Sequence, residues 1–260
     1  MIVLVAGDVV GRPGRRAVTE MLPGLIEEFA AEFVIVNAEN AAGGAGITKE
    51  TGSPLFAAGA HVLTTGNHVW NNREGYTYVE EESRLLRPAN YHHSAPGRGG
   101  NIYQADNGAR VGVINLQGRT FMQAIEDPFR IGSELTNRMR PDCEVLIIDF
   151  HAEATSEKIA LGVYLDGQVS CVFGTHTHVP TADEQILPKG TAYITDVGMT
   201  GPTESIIGMR PAEIIERFLT GMPKRYEVAN GPAVLNGLAL DLDESTGMAR
   251  KIERIRRFID

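Results

Sequence analysis

Side chains that could bind metal follow five separate runs of apolar, strand-like residues in this 260-residue chain. These side chains are Asp8, then Glu39 and Asn40, then Asn67 and His68, then His151, and finally His176 and His178. In open α/β sheets, ligands collect outside the carboxyl ends of the strands, where segments that are distant in sequence meet in space. We therefore expect the five loops to form one site.

The donor types indicate what such a site would hold. Carboxylate, amide oxygen and imidazole together suit borderline divalent metals such as iron, manganese or zinc. A thiolate is absent from the set, which argues against a structural zinc site. The donors other than His68 are too many for one ion, and one glutamate can bridge, so they predict two ions about 3.5–4 Å apart.

Charge balance at this site favours phosphate chemistry. Two divalent ions beside the carboxylates of Asp8 and Glu39 leave about +2, or about +1 once a bridging hydroxide is counted. A phosphodiester monoanion fits that charge. Such ions lower the pKa of a bound water to about 7, which gives a hydroxide nucleophile at neutral pH. His68, next to Asn67, is the natural general acid for the departing alkoxide.

Hydrophobic periodicity predicts the elements that position these residues. Apolar residues recur at helical spacing between Val18 and Phe29, and helices are also predicted over 48–58, 155–161 and 211–219, with Thr48 as an N-cap. The predicted strands cover residues 2–6, 33–36, 62–65, 111–116, 145–150, 169–173, 191–195, 235–243 and 248–258. The last two strands form an antiparallel pair joined around residues 245–247.

This order of elements predicts an α/β fold, built as a layered sandwich of mixed β-sheets flanked by helices. Internal repeats and Ser/Pro-rich linkers are absent, so residues 1–260 are interpreted as a single domain. The pattern weakens around residues 72–140, which leaves open an accessory segment there.

Composition limits the classes of partner. The formal net charge of −9 argues against binding of duplex nucleic acid, which needs clustered Lys and Arg. The apolar start runs directly into Gly7 and Asp8, so it is interpreted as a strand rather than a targeting segment, and no apolar run is long enough for a membrane span. Cys143 and Cys171 lie in strand-like runs and are expected to be buried free thiols. A cytoplasmic protein is therefore expected.

The motifs resemble those of the calcineurin-like metallophosphoesterases. The matching pieces are G-D at 7–8, G-N-H at 66–68, His151 after a strand, and G-T-H-T-H at 174–178. Two motifs depart from the usual pattern: Val10 stands where a histidine is expected, and the second motif is N-A-E-N at 37–40. These departures resemble the YmdB-like branch of the superfamily, over nearly the whole chain.

That resemblance implies a phosphodiesterase with two iron ions, or alternatively two manganese ions, acting on cyclic nucleotides, 2′,3′-cyclic ones in particular and 3′,5′-cyclic ones as a further option. It implies that Glu39 bridges the metals and that His68 is the proton donor. Asp8, Asn40 and His178 would complete one metal site, and Asn67, His151 and His176 the other. The residue that orients His68 is not identified, because no acidic residue follows it.

Other interpretations of these residues remain open. Taken singly, Asp8 is typical of a helix cap, the asparagines of left-handed turns, and His151 of a core histidine. Alternative functions are a phosphomonoesterase or phosphoprotein phosphatase on the same metals, and a regulator that binds metal and nucleotide without turnover. Trp70 is either a platform for a nucleobase or a core residue. A homo-oligomer is also left open.

Overall fold

The computed structural model describes residues 1–260 and contains six α-helices and twelve strands. In chain order they are β1 (Ile2–Ala6), α1 (Gly11–Phe29), β2 (Phe33–Asn37), α2 (Lys49–Ala57), β3 (Val62–Thr64), α3 (Arg73–Glu81), β4 (Gly100–Gln104), β5 (Arg110–Gln117), α4 (Pro128–Met139), β6 (Val145–His151), α5 (Thr155–Tyr164), β7 (Cys171–Thr175), β8 (Gln185–Ile186), β9 (Ala192–Ile194), β10 (Gly201–Pro202), α6 (Pro211–Thr220), β11 (Ala233–Leu242) and β12 (Ala249–Ile259).

The strands form two mixed sheets of six strands each. In the first sheet β1, β2 and β3 are parallel, and β11 runs antiparallel to β1, with β10 and β12 both paired to β11. In the second sheet β5, β6, β7 and β9 are parallel, and β4 and β8 are antiparallel edge strands. The carboxyl ends of the parallel strands carry the loops predicted to form the site.

Alternating side chains explain why the two sheets stack. On β1, Val3 and Val5 face a core that also contains Val145 and Ile147 of β6, so this core lies between the sheets. Residues of opposite parity on β1 pack against α1, and those on β6 pack against α5. The resulting order of layers, helices, sheet, sheet and helices, confirms the predicted sandwich of mixed sheets flanked by helices.

The predicted elements are found with small differences at their ends. Thr48 caps α2 as expected, in a capping box with Thr51. The strand predicted over 169–173 begins later, at Cys171, and just before it the hydroxyl oxygen of Ser170 accepts from the backbone N–H of Leu146. Asp8 does not cap α1, whose N-cap is Val10.

Residues 72–140, where the sequence pattern is weak, supply α3, β4, β5 and α4. β5 pairs with both β4 and β6, so this stretch forms part of the second sheet. Both cysteines are buried and free, as predicted. None of the helices is long and apolar enough to cross a membrane.

Candidate metal centre and its cavity

The donors predicted from the sequence meet between the carboxyl ends of the two sheets. Nε2 of His151 lies 3.0 Å from Oε1 of Glu39, 3.1 Å from Oδ1 of Asn67 and 3.0 Å from Nδ1 of His176. Asp8 is beside them, with its Oδ1 3.7 Å from Nδ1 of His151. Glu39 and Asn67 come from the first sheet and the two histidines from the second, so the cluster spans the seam between the sheets.

Two buried oxygens in this cluster have no hydrogen-bond partner: Oδ1 of Asp8 and Oδ1 of Asn40. Leaving such an atom unsatisfied costs about 1–3 kcal/mol, so a ligand for it is expected. The other polar atom of each side chain is held in place. Oδ2 of Asp8 accepts from the backbone N–H of His176 at 3.2 Å, and Nδ2 of Asn40 donates to the carbonyl of Gly44 at 3.0 Å. Cations fit the two free oxygens.

Each of the three histidines is oriented through one ring nitrogen by a residue outside the donor set, as is usual for metal ligands. Nδ1 of His178 lies 2.8 Å from the carbonyl oxygen of Ile207, and Nε2 of His176 lies 3.1 Å from the carboxylate of Glu153. Nδ1 of His151 lies 2.9 Å from the hydroxyl of Thr175.

Gly66 allows this close packing. A Cβ at this position would lie 2.1 Å from Cδ2 of His151 and 2.4 Å from Oε2 of Glu39. Any side chain at residue 66 would therefore occupy the space between two of the donors.

A fully buried carboxylate, Asp149, supports the cluster from behind. It accepts from the hydroxyl of Thr175 at 2.7 Å, and Thr175 in turn contacts His151. Asp149 also accepts from Nδ2 of Asn37 at 2.9 Å and from the hydroxyl of Thr64. It thereby joins β2 and β3 of one sheet to β6 and β7 of the other. Burial is the main cause that raises the pKa of Asp149, to about 6.

The loop that carries His176 and His178 is strained. Both residues have positive φ angles, 98° and 67°, a conformation that non-glycine residues rarely adopt. The intervening Thr177 is anchored by Asp196, which accepts from its backbone N–H at 3.1 Å and its hydroxyl at 2.8 Å. Asp196 is itself paired with the buried ammonium of Lys158 at 2.7 Å.

Charges at the cluster are strongly coupled. Burial opposes ionisation of Glu39, but His151 outweighs it and the pKa of Glu39 is lowered to about 2. Burial likewise disfavours the charged form of His151, but Glu39 and Asp8 raise its pKa to about 9. Burial raises the pKa of Asp8, although His178 and His151 act in the opposite direction. Burial and then repulsion by His151 lower the pKa of His176 to about 3.

Metal binding should therefore release a proton from His151. A ligating imidazole must be neutral, whereas His151 without metal stays protonated up to about pH 9. Titration calorimetry with Mn²⁺ in two buffers of different ionisation enthalpy should give about one proton released per protein near pH 7, falling as the pH rises through about 9. Apparent metal affinity should rise over the same range. Binding without proton release near pH 7 would contradict this assignment.

A cavity of about 490 Å³ opens onto the cluster. Its polar floor includes Glu39, Asn40, His176 and His178, and His68 lies on its wall. None of its lining residues is a lysine or an arginine. Arg12, which lies four residues after Asp8 in the sequence, lines a different surface cavity with Arg16 and Asp260.

His68 is held by two contacts that the sequence did not identify. Its Nδ1 lies 2.9 Å from the side-chain amide of Asn71, and its backbone N–H donates to Oε2 of Glu39 at 3.1 Å. With the Asn71 amide donating to Nδ1, the ring proton is on Nε2. Asn71 is therefore the orienting partner of His68. Asn71 lies three residues after His68 in a turn, and this spacing is a signal by which the sequence could have identified it.

Similarity to known proteins gives evidence about this chain that does not depend on the geometry of the site. The model of the YmdB-like protein family matches residues 4–255. The chain belongs to the YmdB-like family. The 2′,3′-cyclic-nucleotide 2′-phosphodiesterase of Bacillus subtilis (strain 168) is 50% identical to this YmdB-like chain, over 98% of this chain and 96% of its own.

Two solved structures are also similar to this YmdB-like chain. A protein of Thermus thermophilus superposes with a TM-score of 0.93 at 40% identity, over 99% of both chains. A Mycoplasma pneumoniae protein described as a novel phosphatase superposes with the same TM-score at 38% identity, over 99% of this chain and 93% of its own. The sequence resemblance to the YmdB-like family is thus confirmed.

Proposed function

We propose that this chain is a metal-dependent phosphodiesterase that hydrolyses 2′,3′-cyclic nucleotides at the 2′ ester bond. The observation that carries the proposal is the cluster of donors at the sheet seam, with the free buried oxygens of Asp8 and Asn40. The Bacillus subtilis relative bears the name of this activity and is similar over nearly its whole length. Addition of water to the cyclic ester would leave a nucleoside 3′-phosphate.

The proposed metal centre holds two ions, iron in the native protein or alternatively manganese. Glu39 would bridge them, with Asp8, Asn40 and His178 on one side and Asn67, His151 and His176 on the other. When bound, two such ions supply an activated water and neutralise charge on the phosphate. Elemental analysis of anaerobically purified protein tests the number and identity of the ions, and two equivalents are expected.

The charge of the cavity favours a diester over a monoester. A phosphomonoester carries more negative charge than a diester, and active sites for it benefit from additional arginine. The lining of the cavity offers neither arginine nor lysine, and Glu153 adds a carboxylate instead. The Mycoplasma pneumoniae protein described as a novel phosphatase is the observation that favours the monoester alternative.

The proposed reaction is tested with metal-reconstituted protein. Hydrolysis of 2′,3′-cyclic AMP should give 3′-AMP rather than 2′-AMP, and bis-p-nitrophenyl phosphate should be turned over faster than p-nitrophenyl phosphate. A preference for the monoester would favour the phosphatase alternative. Failure to hydrolyse any of the three with both metals bound would favour a non-catalytic regulator.

We propose His68, as the imidazolium, as the group that protonates the leaving oxygen from Nε2, which leaves the neutral ring described above; in the charged form the side-chain oxygen of Asn71 would accept from Nδ1–H. Its replacement by alanine should keep the metals and lower kcat for a cyclic nucleotide by about 10²–10⁴-fold, the usual contribution of a positioned acid. Steady-state kinetics and metal analysis on the same preparation check this. Loss of metal from the His68→Ala variant would remove His68 from this role.

Asn71 offers a matched test of positioning. Asn71→Ala removes the contact with Nδ1 but leaves the imidazole in place, so a fall of about tenfold in kcat is expected, with metal content unchanged. Asn72→Ala alters the neighbouring asparagine, which caps α3 instead, and should leave kcat close to wild type. Equal losses in both variants would assign Asn71 a structural role only.

The active unit in this proposal is one domain formed by residues 1–260, located in the cytoplasm. Donors from both sheets are needed to complete the site, and the buried thiols suit a reducing compartment. A single cooperative unfolding transition, followed by both tryptophan fluorescence and activity, is expected.

A further inference from the structure

One side of the cavity is apolar and takes no part in the donor cluster. It is formed by side chains that lie between residues 207 and 226, namely Ile207, Met209, Ile214 and Tyr226. We call these four residues the apolar wall. They come from the turn before α6, from α6 itself and from the segment after it. The cavity therefore joins a polar floor, suited to phosphate, to a surface that offers mainly carbon atoms.

The backbone and side chains of the apolar wall have defined contacts with neighbouring residues. Met209 forms isolated β-bridges with both Ile206 and Val228, and the backbone N–H of Ala229 donates to the carbonyl of Gly208 at 3.0 Å. The hydroxyl of Tyr226 accepts from Arg217, whose guanidinium lies 5.3 Å from the centre of the tyrosine ring. The wall is thus held in place by contacts within the protein itself.

Two contacts fix the distance between the wall and the donor cluster. The carbonyl of Ile207 accepts from Nδ1 of His178, and Ile207 adopts a φ angle of 47°, which is rare for a β-branched residue. On the other flank, Asn40 is held by the carbonyl of Gly44, and a Cβ on Gly44 would lie 3.0 Å from Cε of Met209. The backbone is strained where the wall meets the cluster, which indicates that the position of the wall matters to function.

The chemistry of the wall selects a flat, apolar group. Its side chains are uncharged, and the one hydroxyl among them is already bonded to Arg217. Such a surface binds an aromatic ring by stacking and apolar contact. It has few hydrogen-bonding groups that could recognise the polar edge of a particular base. Stacking on an aromatic side chain is tolerant of sequence and raises affinity by about tenfold for each base.

We propose that the apolar wall is the nucleobase subsite, and that it accepts all four bases with a preference for the larger purines. This inference rests on the proposed function, since it places the base of the same cyclic nucleotide whose phosphate faces the donors. Trp70 is not the platform. Its ring lies in a different cavity, packed 5.1 Å from Tyr76 and 5.7 Å from Tyr91 between ring centres.

The test compares a substrate that has a base with one that lacks it. Tyr226→Ala and Met209→Ala should each lower kcat/KM for 2′,3′-cyclic AMP by about tenfold, mainly through KM. Both should leave kcat/KM unchanged for the 2′,3′-cyclic phosphate of 1-O-methylribose, which has the same reacting group. Tyr164→Ala removes an exposed tyrosine that packs on Phe129 instead, and should change neither.

Binding of adenosine 3′-phosphate, measured by calorimetry, provides a readout that does not need turnover. Weaker binding to the Tyr226→Ala variant, with unchanged binding of ribose 3-phosphate, would support the subsite. Equal losses on both substrates, no loss on either, or an effect of Trp70→Ala in place of Tyr226→Ala would overturn it. Wild-type protein that binds adenosine 3′-phosphate through Tyr226 but hydrolyses neither cyclic phosphate would refute the proposed reaction alone.

Discussion

Replacing Glu39 by glutamine should abolish almost all phosphodiesterase activity. Glu39 is ionised at every physiological pH, with a pKa of about 2, and its two oxygens face His151 and the backbone of His68. Glutamine removes the negative charge that would bridge two cations. Loss of metal-assisted stabilisation of several kcal/mol corresponds to a fall of about 10⁴-fold in kcat/KM. Elemental analysis should find one equivalent of metal or none.

Glu153→Gln is the matched control for this substitution. The same chemical change is made at a carboxylate that is 49% exposed and contacts only the outer nitrogen of His176. Orienting groups of this kind contribute about 10–100-fold, so activity should remain measurable and both metals should stay bound. A Glu39→Gln variant that kept two metals and activity within tenfold of wild type would refute the bridging role of Glu39.

The largest effect on stability is expected from Lys158→Met. Lys158 is 1% exposed and its ammonium contacts only one carboxylate, that of Asp196, which is fully buried. Removing one partner of a buried pair leaves the other charge uncompensated, at a cost of about 3–5 kcal/mol. The melting temperature should fall by about 10 °C. Because Asp196 also anchors Thr177, metal affinity should fall as well.

Two further variants distinguish the effect of breaking the buried ion pair from the effect of removing a lysine side chain. Lys251→Met removes a lysine that is 67% exposed and should change the free energy of unfolding by less than about 0.5 kcal/mol. Lys158→Met combined with Asp196→Asn removes the buried charge and should recover part of the loss. If Lys158→Met and Lys251→Met proved equally stable, the buried pair would have no structural role.

The fold and the convergence of the candidate donor side chains were predictable because both depend on local patterns. A run such as 33–36 is apolar on both faces, which indicates a buried strand, and the polar Glu39 that follows it must lie at a sheet end. The position of such a residue at a sheet end does not depend on which strands are neighbours. It correctly brought Asp8 and His151 to one place, although they belong to different sheets.

The supporting residues were not predictable in the same way, because their roles depend on partners far away in the chain. Lys158 on a helix is typical of a solvated residue, and only the packing of α5 on the second sheet brings it to Asp196. Ile207 is an ordinary apolar residue in the sequence, yet its carbonyl orients His178. Asp149 did carry a usable signal, since it is two residues before His151 on the same strand and so shares its face.

The pairing of β1 with β11 limits when the first sheet can be completed during translation. β1 is finished early, but its antiparallel neighbour is more than two hundred residues further along. Until β11 leaves the ribosome, one edge of β1 has unpaired backbone groups, the kind of edge that recruits foreign strands. The second sheet, made of contiguous residues from β4 to β9, can form first and shield one face of the nascent chain. We therefore expect the first sheet to be completed only after the β11–β12 hairpin has emerged.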